Sequence, residues 1–363
     1  MRLDQENAKI TLDEPVNAAW VTDPLPDAPF FVTFHPEVLA PRQAFQMDGM
    51  SPFVASVHYF KDYQLFRQHE FLRTQVRERF WDAIKRAVVH YERLQWDLWE
   101  PEIGKVLEET PENSYAGRLR QMFECFEYSV QWFTFDRRDI WRIAGEQFAD
   151  ANLHHGDALR AYAEAYRSSG RLLSLWRQIN ALHDELISKY PIWMPILQLR
   201  YWASRPAALG NLVVSDKRFD DLKALYLATF ELLARLSVTA LGLELIRTIG
   251  KTDVPTNRGS MSIWDFERLE NANKVPHLSR QVATEHFAAL LDTKLRNGIG
   301  HNAAHYDVAT DEVVCVKVKG VALEEWRISY TDFCYSTIEL ASAAFFAEAY
   351  IQELLKHTRG LNP

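Results

Sequence analysis

The sequence predicts a mainly α-helical fold made of two helical domains behind an extended N-terminal arm. Apolar residues recur at helical spacing through Leu65, Leu72, Val76, Phe80, Ala83, Ala87, Tyr91 and Leu94. They do so again through Leu222, Leu225, Thr229, Leu232, Leu236, Ala240 and Leu243. Strand-like alternation is confined to short stretches near the C-terminus, at residues 313–319 and 325–329.

Each element follows from local signals. Residues 1–60 hold seven of the 15 prolines, a density that forbids long helices because each ring removes a donor and clashes with the preceding turn. Interleaved aromatics (Trp20, Phe30, Phe31, Phe34) set this arm apart from a disordered tail and predict a short strand at 30–34. Residues 61–210 form the first helical domain. Pro101 marks a break, Ser114 caps the next helix, and Ser169-Gly170 turns a helical hairpin between 157–168 and 171–190. The tryptophans concentrated between Trp81 and Trp202 are expected to fill seams between helices. The His154-His155-Gly156-Asp157 run reads as a helix start capped by Asp157, because no partner pair lies at metal-ligand spacing. Residues 191–209 are proline-punctuated, which places a domain boundary near 207–214.

Residues 211–363 form the second domain. Ser215 and Asp216 open a helix that Gly250 ends. A loop-rich connector with a short helix at 263–269 leads to a helix capped by Ser279, and a long final helix begins near Thr331.

Composition bounds the function. With 363 residues and 47% hydrophobic content the chain can bury a large core. Its net charge of −8 excludes a broad basic surface for nucleic acid while allowing a local cationic site. There is no uninterrupted apolar run of transmembrane length, no signal peptide and no membrane partner to expect. Three isolated cysteines without metal-ligand spacing fit a reduced, cytoplasmic compartment. Phosphate-binding glycine loops, zinc-protease motifs and nucleophile elbows are missing.

The chemistry concentrates in L-L-D-T-K-L-R-N-G-I-G-H-N-A-A-H-Y-D, residues 290–307. Arg296 carries a permanent charge on a planar fork that suits phosphate. His301 titrates near neutral pH. Five positions apart, the two would not share a face of a regular helix, and Gly298 and Gly300 are expected to let the backbone leave helical geometry so that they converge. That pairing suggests work on a phosphodiester.

Arg296-Asn297 followed by His301 resembles the R-x(4–6)-H signature of the HEPN superfamily, with its polar residue directly after the arginine. The resemblance covers about the last 150 residues. The same bare pattern, with five residues between, recurs at Arg177…His183 and Arg280…His286, on what read as ordinary surface helix positions.

The resemblance implies a C-terminal HEPN-like helical bundle with a small β-hairpin insertion after the motif. It implies a metal-independent, cofactor-free endoribonuclease acting through 2′-hydroxyl attack to leave a 2′,3′-cyclic phosphate. Arg296 would hold the scissile phosphate, His301 would act as general base or acid, and Asn297 would orient phosphate or water. His305 and Tyr306 would support the site; His301 and His305 share a face if the segment stays helical. A homodimer through the motif-bearing domain, an RNA substrate, a regulatory or antitoxin protein, and a toxin, antiviral-defence or abortive-infection setting follow by the same analogy. The alternative in the same family is a non-catalytic dimerisation or binding module, a sensor or scaffold. A metal hydrolase using His301, His305 and Asp307 is the competing enzyme class.

Overall fold

The computed structural model describes residues 2–4, 9–11, 39–41, 60–134, 139–202, 211–214, 217–256, 259–281, 283–300, 304–319 and 322–358. The chain divides after Pro36. In the first unit, strands β1 (Arg2–Asp4) and β2 (Lys9–Thr11) pair antiparallel. The expected strand at Phe30–Phe34 and most of the arm lie outside the described residues.

The second unit is mainly helical. Strand β3 (Leu39–Pro41) pairs antiparallel with β4 (Leu212–Val214). Helix α1 (Tyr63–Gln75), capped by the Asp62 side chain, passes through one π-helical turn into α2 (Trp81–Glu92) and then α3 (Trp96–Leu107). The break falls at Leu94, which takes positive φ, and not at Pro101. Pro101 sits inside α3 on its exposed face, where the carbonyl left without its helical donor is open to solvent rather than buried.

Helix α4 (Tyr115–Thr134) begins where Ser114 accepts the Gly117 N–H, as expected of a cap. Helix α5 (Asp139–Ser168) is two helical segments that meet at a kink at His155, whose backbone is non-helical. The expected helix start thus falls at His155, two residues before Asp157, which ion-pairs with Arg160. Gly170, in the left-handed region, turns the chain into α6 (Arg171–Ser188), followed by α7 (Tyr190–Leu197).

Helix α8 (Phe219–Ile249) starts later than expected, with Asp220 and Asp221 in its first turn; the Ser215 cap lies outside the described residues. Gly250 ends it at φ 67°, its N–H bonded to the Ile246 carbonyl. The connector holds a small hairpin, β5 (Val254–Thr256) with β6 (Gly259–Met261), and two helices, α9 (Ile263–Glu267) and α10 (Asn271–Leu278). The single helix expected from Ser279 is instead two pieces, α11 (Glu285–Ala288) and α12 (Thr293–Gly300), because Asp292 starts a new helix by accepting the Leu295 N–H. A three-stranded antiparallel sheet follows in the order β7 (Ala304–Asp307), β8 (Glu312–Lys319), β9 (Ala322–Ser329). Ser329 then caps the final helix α13 (Tyr330–Lys356).

Residues 61–210 and 211–363 both contribute to one buried apolar core, and residues 37–363 group as one compact unit. Residues from α2 through α13 belong to a single cluster of buried apolar side chains. A polar network crosses it as well: His183 of α6, fully buried, meets Ser129 of α4 at 3.3 Å and Glu348 of α13 at 3.2 Å. His183 is therefore interior rather than a surface position. Trp81, Trp99, Trp176, Trp193 and Trp202 are buried in seams, as their spacing implies. Helix α8 is long and apolar enough to cross a membrane by composition, yet 72% of its apolar window is buried inside the protein, which makes it a core helix.

A shared core predicts one cooperative transition for residues 37–363. Replacing Phe345, which packs 5.5 Å from the Phe133 ring and 4.6 Å from the His183 ring, by alanine should cost about 3–5 kcal/mol. In urea, tryptophan fluorescence and far-UV circular dichroism should shift together; two separated transitions would contradict the shared core.

Candidate functional site

Helix α12 is eight residues long and presents Arg296 and Asn297 at its middle. Its buried residues are Leu295 and Ile299, four apart, so Arg296 and Asn297 fall on other faces. Arg296 turns toward α8, where Glu231 receives both its Nε (2.9 Å) and its Nη2 (2.7 Å) on the single oxygen Oε1. The remaining nitrogen, Nη1, lies 3.4 Å from the Asn297 Oδ1. Two contacts to one carboxylate fix the plane of the guanidinium and leave the Nη1 edge facing Asn297.

The other oxygen of Glu231 accepts from Asn271 Nδ2 of α10 at 3.2 Å, and Asn271 Oδ1 accepts from the Lys274 ammonium at 3.1 Å. These groups line a cleft of about 670 Å³ together with Arg171, Arg235, Glu267, Arg268 and Glu270. Arg171 pairs with Glu267 at 2.7 Å and stacks over the Trp264 ring. Sequence reading missed Glu231, Asn271 and Lys274. Glu231 is an acidic position on a helix that is otherwise mostly buried, and that is the one local signal it carried.

Gly298 and Gly300 do not break the helix; both lie within α12 and neither takes positive φ. At Gly298 the requirement is room. A Cβ there would stand 2.8 Å from Trp326 Cζ2 and 2.9 Å from Cys315 Cβ, so the missing side chain lets α12 lie directly on β8 and β9. At Gly300 the nearest atoms would be 3.5 Å away, ordinary contact. Burial pushes the Cys315 thiol up to about 11, so it stays a neutral packing group.

His301 follows the last residue of α12 and lies outside the described residues. His305 and Tyr306 are on strand β7, which ends the idea of a helix face shared with His301. His305 is exposed. Tyr306 donates to Asp311 Oδ1 at 2.8 Å, and Lys217 reaches the same oxygen at 2.7 Å, so Asp311 ties the sheet to the chain just before α8 and the tyrosine braces it. Asp307 accepts from the Ala309 and Thr310 N–H groups and from Arg327. Those bonds, the Ala309 N–H first, hold its carboxyl below the usual range. His305 is exposed and Asp307 is committed to its turn and to Arg327, while His301, the third member of the metal-hydrolase set, lies outside the described residues. Among the described residues no three His, Cys, Asp or Glu side chains stand together as metal ligands.

Comparison with protein-family models, with curated proteins and with solved structures gives no match.

The packing at Gly298 is checked by a pair of substitutions. Gly298→Ala should lose about 1–3 kcal/mol, because the contact is against backbone-anchored Cβ and ring atoms. Gly300→Ala should be neutral or gain up to about 1 kcal/mol from helix propensity. Urea midpoints of the two variants give the contrast; equal effects would show that α12 does not press on the sheet at residue 298.

Proposed function

We propose that the chain is a HEPN-type endoribonuclease that cleaves RNA without a metal, and that Arg296, Asn297 and His301 carry the reaction. The observation that carries this reading is the orientation of Arg296. It is clamped by Glu231 through Nε and Nη2, with Nη1 beside Asn297 at the edge of a cleft large enough for a nucleotide.

The chemistry runs through this chain's own groups. Arg296 and Asn297 hold the scissile phosphate, with the guanidinium stabilising negative charge as it builds on the non-bridging oxygens. His301 takes the proton of the ribose 2′-hydroxyl, whose oxygen attacks phosphorus. The P–O5′ bond breaks, and the departing oxygen receives a proton from an imidazolium, supplied by the second copy in a homodimer. The products are a 2′,3′-cyclic phosphate and a 5′-hydroxyl. Cellular defence, with a regulatory or antitoxin partner, is the setting that fits a self-sufficient ribonuclease of this kind.

A second reading rests on the same ion pair. Glu231 neutralises Arg296, which is also what a structural arginine in a non-catalytic dimerisation or binding module requires.

The test is cleavage of labelled tRNA and single-stranded RNA in EDTA. Wild type should cut and leave cyclic-phosphate ends, while His301→Ala should lose about 10²–10⁴-fold and Arg296→Ala about 10²–10³-fold. Arg296→Lys should also fail, because an ammonium cannot reproduce the planar fork. Cleavage retained by both alanine variants, or abolished by EDTA, sinks the proposal. A homodimer by sedimentation that cuts no RNA supports the binding module.

A further inference from the structure

The charge in the cleft beside Arg296 is opposite in sign to that of the chain. Five cations, Arg171, Arg235, Arg268, Lys274 and Arg296, line it against three carboxylates, Glu231, Glu267 and Glu270, in a protein of net charge −8. Arg171 and Arg296 are matched by Glu267 and Glu231, and Arg268 by Asp265. Arg235 and Lys274 are different. Arg235 donates to the Gln178 amide oxygen at 3.1 Å and Lys274 to the Asn271 amide oxygen, and neither has an ion pair to a carboxylate among the described residues.

Lys274 is only 6% exposed. A buried ammonium held by one neutral amide is costly, since charge leaves water without a counter-charge in contact. Burial holds its pKa below the ordinary lysine value, Arg235 pushes the same way, and Glu267 and Glu231 oppose from a distance. An anion entering the cleft supplies what the ammonium lacks. Three hydrogen bonds, Lys274 donating to Asn271, Asn271 donating to Glu231 and Arg296 donating to the same carboxylate, connect it to the guanidinium that faces the motif.

We propose that this cleft is a phosphate-ester subsite, with Lys274 at its floor and Arg235 on its wall, that grips a backbone phosphate of the RNA strand next to the one Arg296 holds. The assignment of the strand rests on the ribonuclease reading; the phosphate-ester chemistry does not. A phosphate there meets two cations that have no carboxylate in contact among the described residues. Lys274 and Arg235 do no bond-making. They fix where the strand lies.

The test is binding, kept apart from cleavage. A fluorescent 2′-O-methyl RNA oligomer cannot react by 2′-hydroxyl attack, and a nucleoside diphosphate serves as the small-ligand probe. Lys274→Met and Arg235→Gln should each weaken oligomer binding roughly 10–100-fold and flatten its salt dependence by about one unit of slope. Lys274→Met should unfold at the same or higher urea concentration than wild type, because an apolar chain of similar length replaces a desolvated charge. Arg142→Gln, on the exposed face of α5, should leave binding unchanged.

Unchanged binding of both probes by Lys274→Met overturns the subsite, even if RNA is cut elsewhere in the protein. Lys274-dependent binding of the nucleoside diphosphate, with no RNA bound or cut, keeps the phosphate-ester subsite. It transfers the site to a free nucleotide and removes the ribonuclease reading.

Discussion

The second unit depends on the packing of α8 against α13. Nineteen residues of α8 and 21 of α13 are buried, on every face of each helix, so the pair forms the interior on which the other elements are layered. A glycine makes room for a further helix: a Cβ at Gly242 of α8 would run into the Tyr162 hydroxyl of α5. Helix α5 covers α8 from one side, where Tyr162 and Tyr166 pack at 5.0 Å and reach the backbone and hydroxyl of Thr239. On another side α12 docks, and Glu231 is the carboxylate through which this apolar helix engages it. The site is thus hung directly on the core, with no flexible element between Arg296 and α8.

Helix positions were legible because capping and periodicity are local. Ser114, Gly170 and Gly250 do what their residue types dictate, and the short helix after Ser262 and the strands after the motif lie within a few residues of expectation. Which helix covers which was not legible. Periodicity states that a helix has an apolar face and is silent on which helix covers it; here α13, last in the chain, covers α4, α5 and α6, which precede it by about 200 residues. Pro101 misled for a related reason, since the helix runs through it on an exposed face, at a local cost that the packing of Trp99, Ile103 and Val106 in the core offsets.

At the candidate site the difference is sharper. Arg296 and Asn297 stand out in a linear pattern. Glu231, 65 residues earlier, becomes a partner through the packing of α12 on α8, and Lys274 stands out only because folding buries it. The glycines were legible as special and illegible in purpose. Conformational freedom was the natural reading of two glycines around an isoleucine, whereas at Gly298 the structure uses the absence of a side chain to seat the helix on Trp326 and Cys315.

That seating bears on how much information a motif holds. Between Arg296 and His301 lie four positions that a spacing pattern leaves blank. The sheet restricts residue 298 to the smallest side chain, and the core encloses Ile299 completely. Only 297 and 300 are open to variation without a cost in packing. Half of the blanks are written by the neighbours of α12, so a spacing of arginine and histidine is a property of the surface beneath the helix as much as of the two residues it names.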